Sequence, residues 1–241
     1  MKEPRSISPA RLLKGADLDA VCADIEAYYA ARLVRHGAIP LGVDWSCTAT
    51  QWLRFVQLLR ICPPDGPVSL IDLGCGYGAL ATFLAEQRRG GSFEYLGIDL
   101  SAEMVRRARR RHRGDARVRF AAGRSALQSA DYVVASGIMN VMLDFPLPTW
   151  EKFVRTVLVD MHRMGRSGFA VNFATKPAKQ SRPEQLYCTT AEKWARFCER
   201  ELGRSVEILD DYGLQEFTLL ARTTERISNA KPARHFATEN S

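Results

Sequence analysis

The stretch Ser69–Leu80, SLIDLGCGYGAL, constrains the fold of this chain more than any other. An apolar run from Val68 to Leu73 carries one carboxylate, Asp72, and runs into three glycines at alternate positions, Gly74, Gly76 and Gly78, before the helix-forming Ala79–Gln87. Glycines at a strand end let the backbone turn sharply and approach a ligand closely, and the helix that follows offers unpaired N–H groups. A second acid, Asp99, ends the next apolar run, Phe93–Ile98, and lies 21 residues after Gly78. A carboxylate there is suited to accept hydrogen bonds from the two hydroxyls of a ribose. Together these features predict a strand, a ligand-cradling turn, a helix and a second parallel strand.

The alternation continues along the chain. Helix Ala102–His112, strand Val118–Ala121, strand Asp131–Ser136, helix Trp150–Met164 and strand Gly168–Phe173 follow in order. Strands interleaved with helices predict a parallel sheet covered on both faces. After helix Ala191–Leu202 the pattern changes to two runs, Ser205–Leu209 and Glu216–Ala221, joined by the turn-rich Asp210-Asp211-Tyr212-Gly213, which predicts an antiparallel hairpin. Ahead of the sheet, Asp17–His36 places Leu18, Val21, Ile25, Tyr28, Tyr29 and Leu33 at three- and four-residue steps, and a second helix spans about Thr48 to Ile61 before CPPDGP ends it.

A ribose-binding acid fits two cofactors, and Gly74-x-Gly76-x-x-Ala79 satisfies a loose dinucleotide pattern. Asp72 separates them. A carboxylate two residues before the first glycine would repel a pyrophosphate, but it suits a ligand carrying an ammonium and a sulfonium, as S-adenosylmethionine (SAM) does. The closing hairpin points the same way, because dinucleotide-binding sheets are typically all parallel.

At these residues the chain resembles the class I SAM-dependent methyltransferases. Asp72-x-Gly74-x-Gly76-x-Gly78 is similar to their first motif, Gly97-Ile98-Asp99-Leu100-Ser101 to the acidic motif after strand two, and Asp131–Ser136 to their fourth strand. The resemblance implies a Rossmann-like, doubly wound α/β fold: a seven-stranded, mostly parallel sheet with an antiparallel last strand, preceded here by a helical extension. With the pattern of the rest of the chain, three segments are expected: an N-terminal helical cap or substrate lid (1–64), a SAM-binding domain (65–223) and, where the residues turn polar without periodicity, a flexible tail (224–241). By the same analogy Asp72, Gly74, Cys75, Gly76, Tyr77 and Gly78 hold the methionine portion, Asp99 the ribose, Leu100 one face of the adenine, and the carbonyls of Ala135 or Ser136 the ammonium. Family members often carry an acid just after strand three for the adenine amino group. This chain has Gly123-Arg124-Ser125 there, leaving backbone groups or Ser125 for that contact.

Methyl transfer is a displacement at carbon that needs the acceptor's lone pair aligned with the sulfonium, so a general base is optional. The loop after strand four reads SGIMNVMLD and lacks the Asn-Pro-Pro-Tyr type of run that presents a flipped base, which favours O- or N-methylation of a small-molecule metabolite. Candidate acceptor contacts are Tyr29, Asp44, Trp45, Gln51, Asn140, Asn172 and Tyr187, with His36 the one candidate able to titrate near neutral pH as a base. The stretch Ala174–Thr189 is long enough to act as a lid.

Charge supplies the competing reading. The net +7 is concentrated between Arg106 and Arg119, where eight arginines meet one acid, Asp115, while the remainder balances. Such a patch would let an RNA methyltransferase dock its substrate. With 27 arginines against 7 lysines, a compositional preference for arginine is the plainer explanation. A third reading keeps the fold as a non-catalytic SAM-binding module. At 241 residues, 46% hydrophobic and 25% charged, the chain is neither disordered nor a disulfide scaffold. Its six cysteines show no CxxC pairing and no zinc-like Cys/His spacing, so no metal is expected. The first twenty residues lack the apolar run of a signal peptide, and no stretch is apolar enough to span a bilayer. A cytoplasmic protein with no membrane partner is therefore expected, its oligomeric state unspecified.

Overall fold

The computed structural model describes residues 12–87, 92–175 and 185–224. Seven strands form one sheet: β1 (Val68–Leu73), β2 (Phe93–Asp99), β3 (Val118–Ala122), β4 (Ala130–Ala135), β5 (Gly165–Ala174), β6 (Arg204–Leu209) and β7 (Glu216–Thr223). Their spatial order is β3-β2-β1-β4-β5-β7-β6. Pairings from β3 through β5 are parallel, and β7 runs antiparallel to both β5 and β6. This is the Rossmann-like topology that the alternation and the closing hairpin predict. Strand order reverses beside β1, where β2 lies on one side and β4 on the other. The carboxyl ends of β1 and β4 therefore frame the crevice in which open α/β sheets bind ligands.

Side chains alternate across each strand and feed two separate cores. Ile71, Leu73, Val133, Phe169, Val171, Phe217 and Leu219 pack under α1 (Gly15–His36), α5 (Leu147–Met164) and α6 (Ala191–Leu202). On the opposite face Val68, Leu70, Phe93, Tyr95, Val134, Ala170 and Leu220 pack with α2 (Thr48–Leu59), α3 (Ala79–Gln87) and α4 (Ala102–Arg111). Element ends differ by a few residues from those read in sequence. In α5 the helix starts at Leu147 rather than Trp150, because Pro148 is accommodated in its first turn, where no N–H partner is required.

The segment before the sheet is helical, and a short 3-10 turn (Pro40–Val43) links α1 to α2. Leu13 anchors the entry to α1, its N–H donating to the Thr156 hydroxyl of α5 at 2.9 Å. Residues 176–184 of the lid expected over Ala174–Thr189, and 225–241 of the tail, lie outside the described residues. Among the described residues, no helix is long and apolar enough to cross a membrane.

Candidate cofactor and acceptor site

The glycine turn is built as a platform. Gly74, Gly76 and Gly78 take φ of 76°, 54° and 82°, a region that side-chain-bearing residues rarely adopt. At Gly74 there is a second reason: a Cβ would lie 2.2 Å from Ile138 Cγ2, in the loop after β4. The N–H groups of Gly74 and Cys75 both donate to the Ile98 carbonyl, at 2.8 and 3.0 Å, locking the turn to β2. Asp99 holds it from the other side, accepting from Gly76 N (2.8 Å) and Ser101 N (2.9 Å) with different carboxylate oxygens.

Above this platform lies a cavity of about 330 Å³. Its floor is Asp72, Gly74, Cys75, Gly76, Tyr77, Asp99 and Leu100; Ser136, Gly137, Ile138 and Asn140 form the β4 side. The roof comes from the N-terminal segment, through Leu18, Ile25 and Tyr29 of α1 and Val43, Asp44 and Trp45 at and after the 3-10 turn. Tyr77 donates through its hydroxyl to Gln51 Oε1 at 3.1 Å, joining the glycine turn to α2. Burial pushes the Cys75 thiol up from its ordinary pKa, which disfavours the thiolate form.

Asp72 lies deeper than the loop-mouth position read from the sequence. It is 3% exposed and accepts a 2.5 Å hydrogen bond from the Tyr95 hydroxyl of β2. Burial pushes its pKa up to about 7, opposed by the Tyr95 hydrogen bond. A cation arriving above it favours the ionised form. Ligand affinity should therefore strengthen as pH rises toward about 7 and level off above it, by at most roughly tenfold per pH step of one while the carboxyl titrates. The unliganded fold should lose stability over the window from the ordinary aspartate value up to about 7, as this carboxyl is forced to ionise inside the protein. Calorimetry with S-adenosylhomocysteine across that range checks the binding trend, and Tyr95→Phe should move it to higher pH.

Of the residues proposed from sequence, the cavity brings together Tyr29, Asp44, Trp45, Gln51, Asp72, Gly74, Cys75, Gly76, Tyr77, Asp99, Leu100, Ser136 and Asn140. Six do not line it. His36 ends α1, one turn beyond Arg32, which pairs with Asp44 at 2.5 Å. Gly78 turns its carbonyl to His112 Nε2 at 2.9 Å, on the α4 side. Ser125 is exposed, and Gly123 and Arg124 take its place on the wall. Ala135 is core. Tyr187 is buried with its hydroxyl accepting from Trp194 Nε1, while its neighbour Leu186 reaches the cavity.

The sixth, Asn172, lies one layer beneath the cavity. Its Oδ1 accepts from Gly137 N at 2.8 Å and its Nδ2 donates to Glu216 Oε2 at 2.7 Å. Glu216 in turn receives Arg54 in a two-pronged pair, Nε to Oε2 at 2.8 Å and Nη2 to Oε1 at 2.5 Å. Arg54 stacks on Trp45, 3.8 Å from the ring centre. This chain of contacts ties α2, β5, β7, the roof and the loop after β4 into one support. Arg54 and Glu216 both line the cavity, and neither stands out in the sequence.

Residues 71–160 match the family described as a methyltransferase domain. A Mycobacterium tuberculosis protein named "Putative methyltransferase" is 39% identical over 165 residues, which make up 68% of this chain and 98% of that relative. The fold is shared with magnesium protoporphyrin IX methyltransferase from Synechocystis bound to S-adenosylhomocysteine, at TM-score 0.61 and 15% identity over 86% of this chain and all of the other. It is shared also with a Haemonchus contortus phosphoethanolamine N-methyltransferase, at TM-score 0.62 and 11% identity, covering 90% of this chain and 52% of that one. With its matched domain, a relative aligned over nearly its whole length and a sheet of this order around a glycine turn, the chain belongs to the class I SAM-dependent methyltransferases.

Proposed function

We propose that the protein transfers the methyl group of SAM to an oxygen or nitrogen of a small-molecule metabolite. The observation that carries this reading is the roof. Tyr29, Val43, Asp44 and Trp45 of the N-terminal segment line the cavity of about 330 Å³ together with the glycine turn, a partial cover that suits a small acceptor better than a polymer. Two of the structural relatives carry the names of small acceptors, phosphoethanolamine and magnesium protoporphyrin IX, which is consistent with the same class here.

In this reading Asp72 faces the ammonium, Asp99 the ribose hydroxyls and Leu100 the adenine. The acceptor lies toward Trp45, Asn140, Leu186 and Glu216, all on the cavity wall. Asn140 is rigidly held, its Oδ1 accepting from Ala174 N at 3.0 Å, which leaves its amide N–H groups to orient an acceptor. Among the described residues no histidine lines the cavity, so rate enhancement comes mainly from alignment of the acceptor with the sulfonium.

The arginine-rich helix end is largely occupied within the protein. Arg106 and Arg107 pair with Glu103, Arg109 donates to the Phe120 carbonyl, Arg111 to Thr82, and Arg117 to Asp115. Five of the eight arginines are thus engaged by neighbours on α4, α3 and the β3 edge, which weakens the case for an RNA-docking surface. The test is methyl-tritiated SAM with a cell extract separated into metabolite, RNA and protein fractions. Label should appear in the metabolite fraction. Label confined to RNA would overturn the proposal and support the docking alternative.

A further inference from the structure

Five buried side-chain polar atoms among the described residues lack a hydrogen-bond partner: Arg32 Nε, His36 Nε2, Asp44 Oδ2, Ser136 Oγ and Arg222 Nη1. Of these residues only Asp44 and Ser136 line the cavity. A buried polar atom left without a partner is costly, and a ligand that supplies the partner recovers that cost. A serine hydroxyl rotates to donate or to accept, whereas a carboxylate oxygen accepts, so Asp44 makes the sharper demand. What binds against it must bring an N–H or O–H group.

The chain holds this carboxylate in place. Arg32 of α1 pairs with Oδ1 at 2.5 Å and also donates from Nη2 to the Leu41 carbonyl at 2.9 Å, fixing the side chain and the turn that carries it. Asp44 has a φ of 61°, and the Trp45 N–H after it donates to the Pro40 carbonyl at 2.9 Å. The turn packs tightly on the end of α1, since a Cβ on Gly42 would lie 2.1 Å from the Gly37 carbonyl oxygen. Tyr28 borders the same carboxylate, and burial together with that charge pushes its pKa up, yet Oδ2 receives no hydrogen bond.

The flanking residues locate Asp44 over the crevice. Val43 Cγ1 comes 3.3 Å from the place a Cβ of Gly76 would take, and the Trp45 ring 2.4 Å from that of Gly137. Asp44 thus stands between a contact to the turn after β1 and a contact to the loop after β4. In the proposed function Asp72 takes the cofactor's ammonium and Asp99 its ribose, and the sulfonium joins those two parts. The polar hydrogens of the cofactor on this side are then accounted for, which leaves Oδ2 to the acceptor.

We propose that Asp44 Oδ2 accepts a hydrogen bond from the reacting group of the acceptor, an amine or hydroxyl that carries a hydrogen, and holds it beside the sulfonium methyl. The assignment rests on the SAM-binding reading and narrows the acceptor class within it. The acceptor's lone pair forms the new bond to the methyl carbon as the C–S bond breaks, and the C–S electron pair stays on sulfur as the neutral thioether of S-adenosylhomocysteine. Positive charge moves from sulfur to the acceptor atom, so its hydrogen bond to Asp44 strengthens in the transition state. An amine keeps its proton as a methylated ammonium, and a hydroxyl passes its proton to the carboxylate and on to water.

Sinefungin probes this position without knowledge of the acceptor, because a carbon bearing an ammonium group replaces the methyl-bearing sulfonium. Its N–H groups occupy the place of the transferred methyl. By calorimetry, wild-type protein should bind sinefungin about tenfold or more tightly than S-adenosylhomocysteine, and Asp44→Asn should cut that preference at least about fivefold. Asparagine tolerates positive φ, so the substitution tests the charge rather than the turn. A ratio of affinities is insensitive to a general loss of folding. No preference in the wild type, or an unchanged ratio in the variant, would overturn the assignment while leaving the cofactor site standing. Failure of the wild-type protein to bind either ligand would overturn both.

Discussion

Arg54→Met should destabilise the protein by about 3–5 kcal/mol, because it leaves Glu216 buried without its charge partner. The pair is 9% and 5% exposed and doubly hydrogen-bonded. Arg54 Nη1 also donates to the Thr50 carbonyl at 2.8 Å, so the variant loses a link within α2 as well. For a chain of this size such a cost lowers the melting temperature by roughly 10 °C. The double variant Arg54→Met with Glu216→Leu should recover most of the loss, since removing both charges avoids the unpaired one. It should not recover activity, because Asn172 then holds Gly137 with one of its two contacts missing. Denaturant titration of the wild type and both variants checks these expectations. A cost below about 1 kcal/mol for the single variant, the size expected for an exposed pair, would show that these charges are hydrated rather than buried.

This network also shows which parts of the site are legible in the sequence. The glycine turn, Asp72 and Asp99 can be read because their spacing within one βαβ unit is local and each residue type has a geometric reason to be there. Arg54 and Glu216 are 162 residues apart and meet only once β7 is inserted between β5 and β6. Nothing in either neighbourhood marks them as partners. The one available signal is an arginine among Trp52, Phe55 and Leu58 on the packing side of α2, a position where a charge must be paired.

Asn172 and Tyr187 stand in the sequence as candidate acceptor contacts, one in the strand that ends near Phe173 and the other in the stretch Ala174–Thr189. Both are instead satisfied inside the protein, Asn172 by Gly137 and Glu216 and Tyr187 by Trp194. For His36 the sequence supplies only a helix end. The cavity face of α1 runs through Leu18, Cys22, Ile25 and Tyr29, and the Arg32–Asp44 pair ends it one turn before His36.

The second large effect is expected at Asp99. One of its oxygens accepts from Gly76 in the glycine turn and the other from Ser101 at the start of α4, which leaves lone pairs for the ribose hydroxyls that the proposed function assigns to it, while burial holds its pKa above the ordinary aspartate value and hydrogen bonds from Ser101 and Gly76 oppose that rise. Asp99→Ala removes a charged acceptor from up to two hydroxyls and releases Gly76, so affinity for the cofactor should fall by about 100-fold or more. Asp99→Asn keeps the shape and an oxygen acceptor for one bond, and should lose less. A loss caused by misfolding alone would instead appear as a drop in affinity that follows the melting temperature in both variants.

The most direct test of cofactor binding at this turn is calorimetric titration of S-adenosylhomocysteine into the wild-type protein and into Asp99→Ala, with circular dichroism confirming that both are folded. One ligand per chain is expected for the wild type, with an affinity about 100-fold weaker, or undetectable, for the variant. Equal affinity in the two proteins, or no binding to the wild type at millimolar ligand, would contradict the assignment.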